Sequence, residues 1–222
     1  MKKLAAIMLG AALVCTGAAG LATPKAYSQD KSAKEDSILK GLQLRLRGIA
    51  VIPQESADIS VIGGDVDIDT SYVPELDISY FFTENIAVEL ILAVTPHDVT
   101  ATNTSIGNVD LGSVWLLPPT LLLQYHHPFK GGFKPYVGAG LNYTVFFDED
   151  APGGTVQSID YENSVGYALQ FGMDYMLTKN WLINVDVKKL FLSTDVKING
   201  GAINADVDID PWIVGVGLGY RF

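Results

Sequence analysis

Apolar and polar residues alternate along eight segments of the chain, with the period of two that is typical of a β-strand buried on one face. In the first segment, Leu44 and Leu46 alternate with Arg45 and Arg47. The eight segments are 42–52, 73–82, 86–95, 113–125, 134–147, 162–177, 181–192 and 207–222. Most are longer than the roughly five or six residues usual in soluble sheets and match the roughly 9–11 residues with which a tilted strand crosses a bilayer. The pattern therefore predicts eight membrane-spanning strands.

The connections between these segments alternate in length. Those after odd-numbered segments are long and polar, namely 53–72, 96–112, 148–161 and 193–206, and those after even-numbered segments are short, namely 83–85, 126–133 and 178–180. Outer-membrane barrels have long extracellular loops and short periplasmic turns. A soluble lipocalin-like barrel also has eight strands, but its apolar face points inward. The predicted fold is all-β: an eight-stranded antiparallel transmembrane β-barrel of the outer-membrane type, with both termini in the periplasm.

Aromatic residues on the lipid-facing phase gather at the two ends of the predicted strands. Those at the ends next to long loops are Trp115, Phe147, Tyr167, Phe191 and Trp212, and those next to short turns are Tyr80, Phe82, Tyr125, Tyr175, Trp181, Tyr220 and Phe222. Two aromatic girdles around an apolar band are what the two membrane interfaces favour. The distribution supports both the barrel and its orientation.

The composition agrees with a membrane protein and narrows its partners. The 222 residues are 48% apolar and 18% charged, with a mean hydropathy of +0.23, which excludes a disordered chain. The uncharged stretch 111–129 has the length of a membrane helix, but Pro118 and Pro119 in its middle break helices. The net charge of −10 argues against nucleic acid as a partner. A closed barrel is the remaining way to satisfy backbone polar groups in lipid.

The N-terminus has the pattern of a secretory signal. Lys2 and Lys3 precede the uncharged stretch 4–22, and Ala26-Tyr27-Ser28 supplies small residues before a cleavage site. A membrane anchor is the alternative, although glycines interrupt the stretch. We expect a cleaved signal peptide at 1–28, a periplasmic segment at 29–41 and the barrel domain at 42–222. The one cysteine, Cys15, would leave with the signal, so we expect no cysteine-bound metal. We also expect no cofactor.

The chain resembles the OmpW family of outer membrane proteins. The stretches that carry the resemblance are Asn85-Ile86-Ala87-Val88-Glu89-Leu90, Leu117-Pro118-Pro119-Thr120, Lys134-Pro135-Tyr136-Val137-Gly138-Ala139-Gly140-Leu141-Asn142-Tyr143, Asp210-Pro211-Trp212 and Gly219-Tyr220-Arg221-Phe222. The resemblance implies a barrel that helps small hydrophobic molecules cross the outer membrane and releases them sideways into the bilayer. The terminal strand, with Leu218, Tyr220 and Phe222 on one face, is typical of an assembly signal for the barrel insertion machinery. Outer membrane lipids and lipopolysaccharide are the other expected partners.

Two sets of residues are candidates for a solute route. Pro118 and Pro119 each remove a backbone donor from a barrel strand, which creates either a gap in the wall or a bulge that merely closes the barrel. Ile91, Leu122 and Phe146 are apolar residues on the inward phase. They form either an apolar constriction of the lumen or ordinary interior packing, because eight strands enclose a space that side chains can fill.

Charged residues on the inward phase predict an ion-pair network inside the barrel. These residues are Arg45, Arg47, Asp77, Glu89, Asp186 and Lys188. They could instead bind a charged solute, but burying one charge without a partner is costly, and this favours mutual pairing.

Three functions are compatible with the sequence. The first is a conduit for small hydrophobic molecules. The second is a plugged structural or receptor barrel whose loops bind external partners. The third, a lipid-modifying enzyme, has little support, because no catalytic motif accompanies His97, His126 and His127, which are predicted to lie in a long loop and a short turn. We therefore predict a protein without enzymatic activity.

Overall fold

The computed structural model describes residues 39–222, which form fifteen β-strands. In chain order these are β1 (Leu42–Ile52), β2 (Ser56–Ile59), β3 (Asp65–Ile68), β4 (Ser71–Phe81), β5 (Ile86–Ala93), β6 (Thr95–Thr104), β7 (Gly107–Leu117), β8 (Thr120–His126), β9 (Phe133–Asp150), β10 (Ile159–Tyr161), β11 (Ser164–Met176), β12 (Trp181–Phe191), β13 (Ser193–Ile198), β14 (Ile203–Asp208) and β15 (Trp212–Arg221). The predicted signal peptide lies outside the described residues, as does most of the segment 29–41. Among residues 39–222, no helix is long and apolar enough to cross a membrane.

Eight of the strands close into an antiparallel barrel. Their order around the wall is β1, β4, β5, β8, β9, β11, β12 and β15, and β15 pairs again with β1. At this closing seam Arg45 lies opposite Gly219 on one side and opposite Asp77 on the other. This arrangement confirms the predicted fold class.

The exposure of side chains in the barrel is the reverse of that in a soluble protein. On β1, Leu46 is 62% exposed, whereas the neighbouring Arg45 and Arg47 are each 1% exposed. The alternation follows from the strand period, since successive side chains point to opposite faces. Apolar residues therefore cover the outer wall, where lipid replaces water, and polar residues fill the lumen.

A glycine in the last strand makes room for the buried arginines. Gly217 on β15 points inward, and a Cβ atom there would lie 2.2 Å from the carbonyl oxygen of Leu46 and 2.7 Å from Cγ of Arg47. Residues with a side chain do not fit at that distance. The backbone of β15 thus approaches β1 closely enough for the Arg47 side chain to lie across the lumen.

The long connections are not the polar loops that the sequence predicts. β6 and β7 form a hairpin that continues beyond the barrel wall, and β3 pairs with β6. A separate four-stranded sheet has the order β10, β13, β14 and β2. Stretches such as Asp65-Val66-Asp67-Ile68-Asp69 alternate with period two, so their acidic residues face solvent while Val66 joins an apolar core. The strand alternation therefore extends into segments that charge alone marks as loops.

The fourth predicted strand is interrupted. The segment 113–125 contains the end of β7 and most of β8, with Pro118 and Pro119 between them. The connections at the opposite end of the barrel are short, as predicted, and join β4 to β5, β8 to β9 and β11 to β12. Below, the barrel end with the long connections is called the loop end and the other the turn end.

Candidate functional site

The middle of the lumen is filled by an ion-pair network, and Arg45 is one of its two centres. The Arg45 guanidinium lies 2.8 Å from the Asp174 carboxylate, forms an ion pair with Glu89 and donates a hydrogen bond of 2.8 Å to the Ser79 hydroxyl. Arg45 comes from β1, Asp174 from β11 and Glu89 from β5. The guanidinium thus connects strands on opposite sides of the barrel.

Arg47 is the second centre, two residues along β1. Its guanidinium lies 2.6 Å from Asp77 and 3.1 Å from Glu75, and it forms an ion pair with Asp186. Lys188 adds a third cation, with Nζ 2.5 Å from Glu75. Removing one partner of such a buried pair typically costs about 3–5 kcal/mol, because the remaining charge loses its compensation.

The network contains the six charged residues that the sequence predicts for the lumen, together with two more. The additional members, Glu75 and Asp174, are nearly fully buried, and both lie on the inward phase of their strands. Strand phase could have identified them from the sequence, whereas their pairing with Arg47 and Arg45 depends on strand order. Five carboxylates and three cations make up the network, so it holds an excess of negative charge.

Aromatic rings close the lumen at the turn end. The His126 ring stacks on Tyr136, with ring centroids 4.6 Å apart, and lies 4.8 Å from Phe81. The Arg221 guanidinium lies 4.0 Å from the Phe81 ring centroid. The prediction that His126 belongs to a short turn is wrong: it ends β8 and is fully buried in the lumen. His127 follows in the connection to β9.

Beyond the network, toward the loop end, lies an apolar cavity of about 60 Å³. Its floor includes Glu75 and Lys188, and its walls come from barrel strands and from β2, β3, β6, β7, β10, β13 and β14. Most of its lining is aliphatic, for example Val99, Val196 and Val207. Drug-sized ligands occupy pockets of about 300–1,000 Å³. A solute of that size therefore requires the lining side chains to move apart.

The three residues predicted to form an apolar constriction occupy two positions relative to this cavity. Ile91 and Phe146 line it, whereas Leu122 is fully buried in the apolar core and is not among the lining residues. Tyr161 stacks on Phe146 with ring centroids 5.5 Å apart, and burial raises the pKa of its hydroxyl. That hydroxyl consequently stays uncharged at neutral pH.

His97 places an imidazole in the cavity wall. It lies on β6, outside the membrane-spanning strands, and is 5% exposed. Nδ1 lies 2.8 Å from the carbonyl oxygen of Asp69, which can only accept, so Nδ1 carries the proton. Burial lowers the pKa of His97 below its ordinary value of 6.5, so the ring is neutral at neutral pH.

Pro118 and Pro119 interrupt the ladder toward both neighbours, but toward β9 one backbone hydrogen bond remains. Toward β5 and β6, the ladder stops at the pair Ile91–Thr120 and resumes at Thr95–Leu116. Toward β9 the ladder stops at the pair Thr120–Asn142 and resumes at Leu117–Val145, and within that gap the amide of Tyr143 donates a 3.0 Å hydrogen bond to the carbonyl of Pro119. Pro118 also lines the apolar cavity. The interruption therefore lies directly beside the cavity.

Side chains compensate for part of this interruption. The Asn142 amide donates to the Pro118 carbonyl at 3.2 Å, and the Thr120 hydroxyl donates to the same carbonyl at 3.1 Å. Asn142 in turn accepts a 2.7 Å hydrogen bond from the Thr144 hydroxyl. Asn142 is not among the predicted site residues, although its position on the inward phase of β9 is readable from the alternation.

The terminal-strand residues lie on the lipid-facing wall. Leu218 is 54% and Phe222 43% exposed, and the Tyr220 ring packs edge-on against Phe222 with centroids 4.9 Å apart. The amide of Phe222 donates a 3.0 Å hydrogen bond to the Leu42 carbonyl. Phe222 therefore contributes one of the bonds that join the last strand to the first.

Charge is distributed unevenly along the barrel axis. Of the 22 acidic residues in 39–222, sixteen lie in the loop-end segments 53–72, 94–119, 147–163 and 192–211, which contain one basic residue, Lys197. The turn end carries five basic residues, Lys40, Lys130, Lys134, Lys179 and Arg221, and one acidic residue, Glu84. The two mouths consequently have opposite net charge.

A closed eight-stranded barrel with an apolar outer wall, aromatic girdles and a polar lumen defines an integral outer membrane β-barrel of the Gram-negative type. The particular family follows from comparison with known proteins: the chain belongs to the OmpW family, whose sequence model matches residues 40–222. This confirms the resemblance found in the sequence.

Individual relatives and a solved structure agree with that assignment. The uncharacterized outer-membrane protein y4mB of Sinorhizobium fredii is 43% identical, over 96% of this chain and 94% of its own length. Outer membrane protein W of Vibrio cholerae is 36% identical, over 79% of this chain and 86% of its own. The crystal structure of OprG from Pseudomonas aeruginosa superimposes with a TM-score of 0.73 at 32% identity, covering 82% of this chain and 96% of OprG.

Proposed function

We propose that the protein is a conduit through which small hydrophobic molecules pass the outer membrane and leave sideways into the bilayer. The observation that carries the proposal is the contact between the apolar cavity and the interrupted wall at Pro118. An apolar solute gains free energy by leaving water for such a cavity, about 25 cal/mol for each Å² of apolar surface removed from water.

The ion-pair network supports a sideways route over a straight one. A solute that continued along the barrel axis would meet Arg45 and Arg47, each bound to several carboxylates. Separating those charges in a buried site is costly, and an apolar molecule offers nothing to replace them. Beside Pro118 the solute meets apolar side chains inside and lipid outside.

The wall beside Pro118 is also the easier part of the barrel to open. Opening an intact ladder breaks backbone hydrogen bonds, and each lost bond in lipid costs several kcal/mol. Between β5–β6 and β7–β8 several positions already lack ladder pairs, and the Pro118 carbonyl is held by the Asn142 and Thr120 side chains instead. Those side chains can rotate without unzipping a strand.

Restoring the backbone donors tests this route. We expect the double variant Pro118→Val/Pro119→Val to extend the ladder, raise the unfolding temperature in detergent and slow uptake of a small hydrophobic dye into liposomes. One added hydrogen bond of about 1 kcal/mol corresponds to a fall in rate of about fivefold. Both quantities are measured on the same preparation.

Pro135 supplies the matched control, because it lies in the barrel wall on β9, away from the cavity. Pro135→Val should leave dye uptake at the wild-type rate. Undiminished uptake in a well-folded Pro118→Val/Pro119→Val barrel would show that the solute does not pass the proline interruption.

A plugged structural or receptor barrel is the second candidate, and the ion-pair network that fills the lumen favours it. The two functions differ in the liposome assay. A conduit makes apolar dye enter faster than in protein-free vesicles, whereas a plugged barrel leaves the two rates equal.

A further inference from the structure

Lys189 is a charged residue on the otherwise uncharged, lipid-facing outer wall of the described barrel. Between the two aromatic girdles, every other lipid-facing position of the eight described barrel strands is uncharged. Lys189 lies on the lipid-facing phase of β12, two residues before Phe191 and opposite Trp212 of β15. A charged group facing lipid is unfavourable unless a partner compensates it, so such a residue marks a candidate binding site.

The surroundings place the ammonium at the interface nearest the loop end. Nζ lies 5.3 Å from the ring centroid of Trp212 and 5.7 Å from that of Phe191, which itself stacks on Tyr167. Nζ donates one hydrogen bond, to the carbonyl oxygen of Asp210. An ammonium has three donors, so two remain for a ligand.

Lys189 differs from the other loop-end lysine in its partner. Lys197 is about half exposed to solvent and forms an ion pair with Glu162 at 2.5 Å. Lys189 contacts an uncharged carbonyl, and no carboxylate within residues 39–222 lies within 4.0 Å of its Nζ. Its positive charge therefore remains available to an external anion.

A lipid-facing groove begins next to Lys189 on the membrane side. Val187 and Val214, a cross-strand pair adjacent to the pair of Lys189 and Trp212, both line a groove of about 1100 Å³. Gly48 and Ala50 of β1 line it further along, and a Cβ atom at Gly48 would meet nothing within 4 Å. The surface thus combines a cation at the interface with an apolar depression below it.

We propose that Lys189 binds the phosphate of a phosphorylated glycolipid in the outer leaflet, the lipid A part of lipopolysaccharide, whose acyl chains lie in the groove. The ammonium supplies the charge, the neighbouring Trp212 ring belongs to the aromatic girdle at the membrane interface, which is the level of a lipid headgroup, and the valines contact the chains. The site lies on the outer wall, separate from the cavity, and does not depend on whether the barrel conducts solutes.

The test uses the full chain purified in detergent and titrated with defined lipids, with bound lipid counted by native mass spectrometry. We expect Lys189→Gln to weaken binding of bisphosphorylated lipid A by about tenfold, as loss of a single interfacial ion pair would. Lys189→Arg should keep most of the affinity. Lys197→Gln is the matched control and should bind as the wild type does.

Two further ligands separate the source of the phosphate. Lipid A without phosphates should bind the wild type weakly, with an affinity no higher than that of bisphosphorylated lipid A for Lys189→Gln. Inorganic phosphate should not displace bound lipid A from the wild type. Equal affinity of the wild type and a folded Lys189→Gln barrel for bisphosphorylated lipid A would overturn the proposal. So would equal affinity of the wild type for the two lipids, or displacement by inorganic phosphate.

Discussion

At the scale of single residues, the lumen shows how a barrel of this size holds charge out of water. Arg47 forms ion pairs with Glu75, Asp77 and Asp186, and these three carboxylates are buried in the lumen rather than exposed to lipid. Each charge has an opposite partner, and some have further polar contacts, such as the 2.7 Å hydrogen bond from Gln170 to Asp186, whereas Asp77 has, among the described residues, only its ion pair with Arg47. The apolar cavity on the loop-end side of the network has few titratable groups in its lining, and His97 is one of them.

His97 makes the cavity sensitive to acid. Because its pKa is lowered by burial, the ring is neutral at neutral pH and takes up a proton only as the pH falls below 6.5. Protonation then places a cation in an apolar wall. We expect dye uptake to be constant down to about pH 6.5 and to fall below it, with uptake measured in liposomes buffered alike on both sides.

The same residue affects stability in the same direction. An unfolded histidine binds a proton below about pH 6.5, whereas native His97 resists it, so the loop-end core loses stability as the pH falls through that value. We expect His97→Asn to remove the acid-dependent loss of dye uptake. It should also remove the acid-dependent loss of stability of the loop-end core, measured by hydrogen exchange. His127→Asn at the turn end should leave both pH dependences as they are in the wild type. An unchanged acid loss in His97→Asn would assign the effect to another group.

At the scale of strands, alternation predicted most of the barrel, and its failures have physical causes. Among the strands that turn polar residues inward and apolar residues outward, β1 and β12 begin and end within one residue of their predicted limits, whereas β15 begins five residues later than predicted. The loop-end strands were missed because their acidic residues mask an equally regular apolar phase. Which neighbour keeps a backbone bond across the proline interruption could not be predicted, because it depends on the register with β9, the strand that also supplies the Asn142 amide to the Pro118 carbonyl.

The last strand carries a prediction about assembly. The Phe222 amide closes the seam to Leu42, while its ring packs on Tyr220 at the membrane interface. Phe222→Ala keeps the amide and removes the ring, so it separates closure from recognition by the insertion machinery. We expect less than half the wild-type amount of folded barrel in outer-membrane fractions, measured by heat-modifiable gel mobility.

Phe171→Ala is the control for loss of a lipid-facing aromatic ring, since Phe171 is 63% exposed in the middle of the wall. It should reach the membrane at the wild-type level. If Phe222→Ala also accumulates normally, the terminal ring has no role in assembly.

At the scale of the whole molecule, the barrel has an acidic mouth at the loop end and a basic mouth at the turn end. The acidic charge includes a row of three carboxylates, because Asp58, Asp206 and Asp195 lie side by side across β2, β14 and β13. Like charges directly opposite in a sheet are destabilising, so packing does not explain them. Their summed field acts on any charged molecule that approaches the mouth.

This field should make uptake depend on the charge of the solute. A medium-chain alcohol and the carboxylate of equal chain length differ at neutral pH by one negative charge at the head. We expect proteoliposomes to take up the alcohol faster at low salt, with rates corrected for protein-free vesicles. The difference should shrink at about 1 M salt, where the screening length falls to about 3 Å.

The variant Asp58→Asn/Asp195→Asn/Asp206→Asn should raise the uptake rate of the carboxylate and leave that of the alcohol unchanged, because only the charged solute experiences the lost repulsion. Equal rates for the two solutes at low salt would mean that the acidic mouth does not lie on the solute's path.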